Sequence, residues 1–280
     1  MFMFNFDPER GVPQQQSAIQ SAERPSSCDC DDKLVAFTPT DEATVGAALP
    51  RDVVRGEYEG GAQVWECTND LLSILPSLPL CSARVLDLGC GAGLLGAAAL
   101  RAGAARVVFS DLNRDVLEHV TARTVADSRD TTEVVGSGRD GGGGAGGDGG
   151  GGSSSAEALF VAGSWAALLA AARGDVARCS GRDGALVTSA LQERFDVILS
   201  AETAYRPENC ATLAALCAVL LASPGGVAFF ATKRFYFGSE LGGGTDALCA
   251  AVERTPGLTA RRRHEFTDNV VRDIIQISRV

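Results

Sequence analysis

VLDLGCGAGLLG, residues 85–96, decides how this chain folds. A short apolar run ends at Gly89, more glycines follow at Gly91, Gly93 and Gly96, and an alanine-rich stretch comes next. That order predicts a strand, a tight turn and a helix N-terminus in immediate succession. Glycine suits a turn where the chain reverses sharply and a ligand approaches the backbone. The helix behind it offers free N–H groups and the positive end of its dipole.

Outward from this turn, strand and helix alternate. ARVLDLG (83–89), RVVFSD (106–111), ALFVAG (158–163), RFDVILSAE (194–202) and GGVAFFATK (225–233) predict five strands. The helices between and after them are GLLGAAALRAG (93–103), DVLEHVTARTVA (115–126), WAALLAAA (165–172), ENCATLAALCAVLLAS (208–223) and a segment near 245–255. Gly103 stops the first of these. LTARRRHEF (258–266) and NVVRDIIQISRV (269–280) close the chain with no helix between them, only a tight turn at Thr267–Asp268. The alternation predicts an α/β, Rossmann-like, mostly parallel sheet with right-handed crossovers. The closing pair predicts a C-terminal hairpin and one antiparallel strand.

The 280 residues would make one or two ordinary domains. Three stretches reduce that to one. Residues 1–56 read as a flexible acidic tail, 131–156 carry 12 of the 33 glycines, and 173–193 read as polar and aperiodic. A single domain over 57–280 with two surface insertions is expected. A composition 45% hydrophobic and 21% charged excludes a disordered chain. The longest apolar run, Cys210–Ala222, is interrupted by Thr212 and falls short of the ~20 residues that span a bilayer. MFMFNFDPER lacks the unbroken apolar stretch of a secretory signal. Nine cysteines without metal spacing are expected to be reduced thiols of an intracellular protein, and no metal site is expected. His119 and His264, the two histidines, stand outside every motif and are expected at the surface. A formal charge of −10 opposes binding to a nucleic-acid backbone and suits a basic protein partner.

Two ligands compete for the glycine loop. Asp111 ends the second strand, where a carboxylate accepts the hydroxyls of an adenosine ribose. From Gly91 onward, GAGLLG is a literal dinucleotide fingerprint, so a nicotinamide-dependent oxidoreductase is one candidate. Asp87 would crowd a pyrophosphate, but it suits a ligand with a cationic amine. S-adenosylmethionine carries an ammonium, a sulfonium and no phosphate, and it would also use Gly89.

Further strings carry a resemblance. YEGGAQVWECTNDLL (58–72), AGSWAALL (162–169), ILSAETAYRPE (198–208) and TKRFYFGSELGGG (232–244) accompany the loop, the FSDLN segment and the terminal hairpin. Together they resemble the eukaryotic protein-histidine methyltransferases, class I seven-strand enzymes close to the seven-strand protein lysine methyltransferases. The resemblance covers about residues 54–280 apart from the two insertions. It implies S-adenosylmethionine as cofactor and a histidine of a basic large-subunit ribosomal protein as acceptor. It also implies a monomer working in the cytoplasm and nucleus. A lysine acceptor, or a non-catalytic S-adenosylmethionine-binding chaperone of the same client, are the alternatives.

The resemblance also assigns residues. Val64, Trp65, Glu66, Cys67 and Thr68 would meet the methionine part of the cofactor. Gly89 and Gly91 would let the backbone approach the cofactor, Asp87 would orient it and Asp111 would hold the ribose, with Ser110 and Leu112 in the same cofactor site. Gly163, Ser164 and Trp165 would hold the adenine, and Ser200 and Ala201 would complete the cofactor site. Glu202 and Tyr205 would face the acceptor, Glu202 taking one imidazole N–H so that the other nitrogen's lone pair points at the methyl group. Phe235, Tyr236 and Phe237 would wall the channel or simply pack. The family's SETxYN string reads AETAYR here, with Ala201 and Arg206 as the departures.

Overall fold

Numbered in chain order from β1 (Val35–Phe37) to β8 (Arg272–Arg279), the eight strands of the described residues form one sheet in the order β1-β4-β3-β2-β5-β6-β8-β7. The structure is a computed structural model, and it describes residues 35–37, 60–136, 156–175, 182–236 and 242–280. All of these fall in the unit Asp32–Val280. The strands are β1 (Val35–Phe37), β2 (Arg84–Leu88), β3 (Arg106–Asp111), β4 (Glu157–Ala162), β5 (Val197–Ala201), β6 (Val227–Lys233), β7 (Leu258–Phe266) and β8 (Arg272–Arg279). β2 to β6 are mutually parallel, and β8 runs antiparallel between β6 and β7. The expected parallel sheet with a C-terminal hairpin is therefore present.

Alternation along each strand sends side chains to two faces. Leu86, Val108, Leu159 and Ile198 face one core, covered by α5 (Trp165–Ala172), α6 (Arg182–Gln192), α7 (Pro207–Leu220) and α8 (Thr245–Glu253). Val85, Val107, Phe160 and Leu199 face the other. There α1 (Glu66–Ile74), α2 (Leu94–Arg101) and α4 (Ala122–Gly136) lie, with α3 (Arg114–Val116) running into α4 through a π-helical turn at Leu117–Thr121. Burial on both faces is why the central strands read as unbroken apolar runs. α7 is apolar nearly all round because it lies between α5 and α8 as well as on the sheet.

Four features differ from expectation. Val35–Phe37, inside the stretch read as a tail, pairs antiparallel with β4. A three-residue strand shows no periodicity of its own; the free edge of β4 supplies its partner. The rest of 1–56 before Gly60 lies outside the described residues. Within 173–193, read as an aperiodic insertion, α6 lies against β1 and β4 and buries Val187, Ala190 and Leu191 in the core. Its apolar stripe is too narrow to stand out among polar flanks. α4 continues to Gly136, into the glycine-rich stretch, of which 137–155 are not described. The last strand begins at Arg272, not at 269. The Arg272 guanidinium donates to the Asp268 and Val270 carbonyls, each at 3.0 Å, and so holds a wider turn.

Among the described residues no helix is long and apolar enough to cross a membrane. The six described cysteines are free, and Cys81 is exposed although its sequence context is apolar. His264 is exposed and His119 half-buried.

Candidate functional site at the switch point of the sheet

Chain order runs from β2 outward to β4, then returns to β5 on the other side of β2. The crevice outside the C-terminal ends of these strands is where open α/β sheets bind ligands. A cavity of about 350 Å³ lies there, within the size range of small-molecule sites.

The glycine turn forms its floor. Gly89 and Cys90 N–H both donate to the Ser110 carbonyl, at 2.8 and 2.9 Å, which ties the turn to β3. Gly89 has φ +69°, and a Cβ there would stand 2.6 Å from Thr203 Cγ2. Gly91 has φ +49°, and its Cβ would stand 2.5 Å from the Gly61 carbonyl oxygen. Glycine is obligatory at both positions, because backbone conformation and the space left by neighbours agree.

Asp111 carries the second loop. Its Oδ2 accepts from Gly91 N–H at 3.0 Å and its Oδ1 from Asn113 N–H at 3.1 Å. Burial pushes its carboxyl above the usual range, and the N–H groups of Asn113, Gly91 and Leu112 pull it back. An ionised carboxylate has lone pairs beyond these contacts, so Asp111, which lines the cavity with Leu112, can still accept from ligand hydroxyls.

Asp87 has a different place. It is 1% exposed and does not line the cavity. Its Oδ2 accepts from Gly96 N–H at 2.8 Å. The carboxylate therefore lies at the N-terminal turn of α2, from behind the loop. Burial pushes it up to about 7, opposed by the Gly96 hydrogen bond and reinforced by nearby Asp111. A carboxylate already installed at that helix end is unfavourable company for a pyrophosphate. Gly96 itself serves packing, since a Cβ there would stand 2.3 Å from Phe109 Cε1.

The side walls come from elsewhere in the chain. Ser164 caps α5, its Oγ accepting from Ala167 N–H at 3.1 Å. The cap positions Trp165, whose Cζ2 would be 3.3 Å from a Cβ at Gly89. Trp65 precedes α1 and its Nε1 donates to the Gly60 carbonyl at 3.4 Å. Val64 and Thr68 line the cavity beside it, as do Gly163 and Ala201 on the strand ends.

Glu202 and Tyr205 stand on the same cavity wall. Glu202 follows β5 at φ +57°, a conformation that few non-glycine residues hold without a local reason. Its N–H donates to the Ala231 carbonyl at 2.9 Å, and its carboxylate receives Tyr236 Oη–H at 2.5 Å. Lys233 Nζ stands 3.4 Å from Glu202 Oε1 and 3.1 Å from Glu66 Oε2. Tyr205 meets Tyr236 edge-on, with ring centroids 6.3 Å apart.

The structure thus brings thirteen of the eighteen expected residues to one cavity and leaves Glu66, Cys67, Asp87, Ser110 and Ser200 outside its lining. Glu66 is solvent-facing and pairs with Lys233. Cys67 is fully buried beside Glu202, and its thiol is pushed up by burial and by that acid. Ser110 is buried in β3. Ser200 Oγ donates to the Leu88 carbonyl at 2.7 Å and meets Thr203 Oγ1 at 2.7 Å, joining β5 to β2. Gly61 and Thr203, which line the cavity, and Lys233, which pairs with Glu66 and Glu202, are not among the expected residues. The paired glycines at 60–61 and the lysine ending β6 were visible but had no partner until the fold supplied one.

Residues 61–140 match the Methyltransferase small domain. The chain is similar to a histidine protein methyltransferase 1 homolog of Bos taurus, 30% identical over 229 residues, which are 81% of this chain and 57% of that one. A homolog of the same description from Dictyostelium discoideum is 27% identical over 233 residues, covering 81% of this chain and 60% of that one. The chain thus spans less than two thirds of the length of these relatives. In solved structures, a protein described as a SAM-dependent methyltransferase from Streptococcus mutans superposes with TM-score 0.51 at 11% identity, covering 78% of this chain and 50% of that one. A methyltransferase complexed with SAH gives TM-score 0.50 at 11% identity, with the same coverage of 78% and 50%. At such identities the likeness speaks to the fold, which is that of the class I methyltransferases.

Proposed function

We propose that this chain, a homologue of the histidine protein methyltransferases on the class I methyltransferase fold, transfers a methyl group from S-adenosylmethionine to a histidine of another protein. The observation that carries this is one cavity lined by Gly89, Gly91 and Asp111 and also by Glu202 and Tyr205. A donor site and an acceptor-facing acid thereby share one space.

The residues fit the donor. Asp111 would hold ribose hydroxyls, Trp165 would flank the adenine, and Val64, Trp65 and Thr68 would border the methionine part. S-adenosylmethionine supplies an electrophilic methyl group on sulfonium, and S-adenosylhomocysteine leaves when an imidazole nitrogen takes that methyl. The chain's own part is alignment and exclusion of water. Glu202 would accept the N–H of the acceptor ring, fixing its tautomer and afterwards taking or relaying that proton. Asp87 behind the loop disfavours the nicotinamide alternative, because its carboxyl group already takes the Gly96 N–H at the α2 N-terminus that a pyrophosphate would use.

The acceptor protein is a basic large-subunit ribosomal protein met in the cytoplasm or nucleus. The formal charge of −10 supports attraction to such a client. Calorimetric titration with S-adenosylhomocysteine, with NADH as control, tests the donor. Binding of NADH alone would replace this proposal with the oxidoreductase. Mass spectrometry for methylhistidine in large-subunit proteins incubated with the enzyme and donor then tests the acceptor. Methyllysine instead would select the lysine alternative, and client binding without any product would select the chaperone.

A further inference from the structure

Lys233, at the end of β6, is not in the cavity lining, yet it touches four groups around the cavity's acidic wall. Its Nζ lies 3.1 Å from Glu66 Oε2 and 3.4 Å from Glu202 Oε1. The same nitrogen lies 5.6 Å from the Trp65 ring centroid and 5.8 Å from that of Tyr236. Two carboxylates and two aromatic faces around one ammonium make up a cage for alkylammonium ions. Here the chain's own lysine occupies that cage. Trp65 and Glu202 belong to both cage and cavity, so the two share a boundary.

The lysine is held there as a cation. Burial works against its charge, but Glu202 and Glu66 outweigh burial and keep its pKa raised. Its side chain is 18% exposed and that of Glu202 only 7%, so bulk water screens the pair weakly. Tyr236 holds the other oxygen of Glu202.

We propose that Lys233 selects the acceptor: by filling the aromatic and acidic cage beside the cavity, its ammonium refuses a lysine side chain and admits a neutral imidazole. This rests on the methyltransferase assignment above. An incoming lysine carries a positive charge at neutral pH. It would find the cage occupied, Glu202 already neutralised and a like charge alongside. An uncharged imidazole meets none of these penalties, and a carboxylate with two partners still has a lone pair for its N–H.

The first test needs no client. Lys233→Ala removes a side chain whose outer part has the size of propylammonium. Thermal melts of wild type and Lys233→Ala are recorded with propylammonium chloride, with propanol as the neutral control. A gain of about 2–4 °C or more with propylammonium alone, confined to the variant, is expected. Equal shifts in both proteins, or no shift in a folded variant, would overturn the proposal. If Lys233→Ala does not fold, Lys233→Met fills the space without charge. Wild type and Lys233→Met are then incubated with large-subunit ribosomal protein and methyl-labelled S-adenosylmethionine, and the label is separated after hydrolysis. The expected result is methylhistidine from wild type and added methyllysine from the variant. Methyllysine from wild type, or an unchanged product ratio, would overturn the selection by Lys233 and leave the methyltransferase assignment standing. Failure of wild type to bind S-adenosylhomocysteine would instead remove that assignment, while the propylammonium result would still read the cage.

Discussion

The Gly91 amide donates to the Asp111 carboxylate across 3.0 Å, although 20 residues of chain separate them. Thr121 Oγ1 donates to the Gly91 carbonyl at 2.6 Å and adds a third element to the same point. The glycine turn after β2, the acid ending β3 and the π-helical turn before α4 thus behave as one unit. A substitution in any of them acts on the donor site and on the loop that shapes it.

Asp111→Ala removes the acceptor for ligand hydroxyls and the anchor for Gly91. Hydrogen bonds to a charged group contribute about 1.5–3 kcal/mol each. Loss of two corresponds to weakening of S-adenosylhomocysteine binding by roughly 100-fold or more. Calorimetry measures it, and an affinity within about threefold of wild type would take Asp111 out of the ligand site.

Gly91→Ala places a Cβ 2.5 Å from the Gly61 carbonyl and holds alanine at φ +49°. The backbone conformation alone costs about 1–2 kcal/mol, and the Gly60–Gln63 turn must withdraw as well. The melting temperature should fall by several degrees and ligand affinity should fall with it. A variant that melts and binds like wild type would contradict this packing of the two turns.

Asp70 on α1 and Arg272 on β8 form a buried ion pair, with Nη2 to Oδ1 at 3.2 Å and Nε to Oδ2 at 2.5 Å. Removing one partner of such a pair typically costs about 3–5 kcal/mol. Asp70→Ala should show that loss in urea unfolding. Because α1 begins directly after Trp65, ligand affinity should drop too. The double change Asp70→Leu with Arg272→Met should recover only part of the stability, since Arg272 also holds the turn before β8. Full recovery by the double variant would refute the second role of Arg272.

The stability of the ligand-free protein should decline as pH rises from about 4 to about 7 through Asp87, whose carboxyl burial lifts from 3.8 to about 7. The sign follows from linkage. Between those values the folded state holds a proton that the unfolded state has lost, so stability present below 3.8 is lost as pH passes through 7. Asp111 is raised as well and adds in the same sense. Asp87→Asn should flatten the profile over this window without abolishing its slope. Melts of the two proteins across the range decide it; parallel profiles would mean that Asp87 does not titrate there.

Glu202→Gln keeps an acceptor oxygen for Tyr236 but loses the charge that Lys233 pairs with. Donor affinity should stay near wild type, whereas methyl transfer should slow by about 10²-fold, a usual size for one proton-handling group. Single-turnover rates separate the two quantities. Equal rates would remove Glu202 from the mechanism.

Much of this architecture was legible along the chain. The five β–α alternations, the helix-less closing pair and the glycine turn were local patterns, and each strand appeared within a few residues of its expected place. Two elements hid. Val35–Phe37 is too short to show a period, and α6 presents its apolar stripe of Val187, Ala190 and Leu191 inside a polar stretch. Of the site residues, Gly89, Gly91, Asp111, Trp65 and Trp165 were expected at the cavity and line it. Asp87 was expected to face the ligand, yet it turns behind the loop to Gly96 N–H, because strand alternation and the tight turn point it at the start of α2.

The residue pattern by itself determined a parallel α/β sheet, its closing hairpin and a ligand loop at the end of β2, because periodicity and glycine placement act over a few neighbouring residues. Tertiary structure alone decided which charges meet. Lys233 joins Glu66 and Glu202, and Asp70 joins Arg272, only because the sheet order brings α1, β6 and β8 side by side. Electrostatic partners are chosen by distance in space and by burial, and neither is written in spacing along the chain.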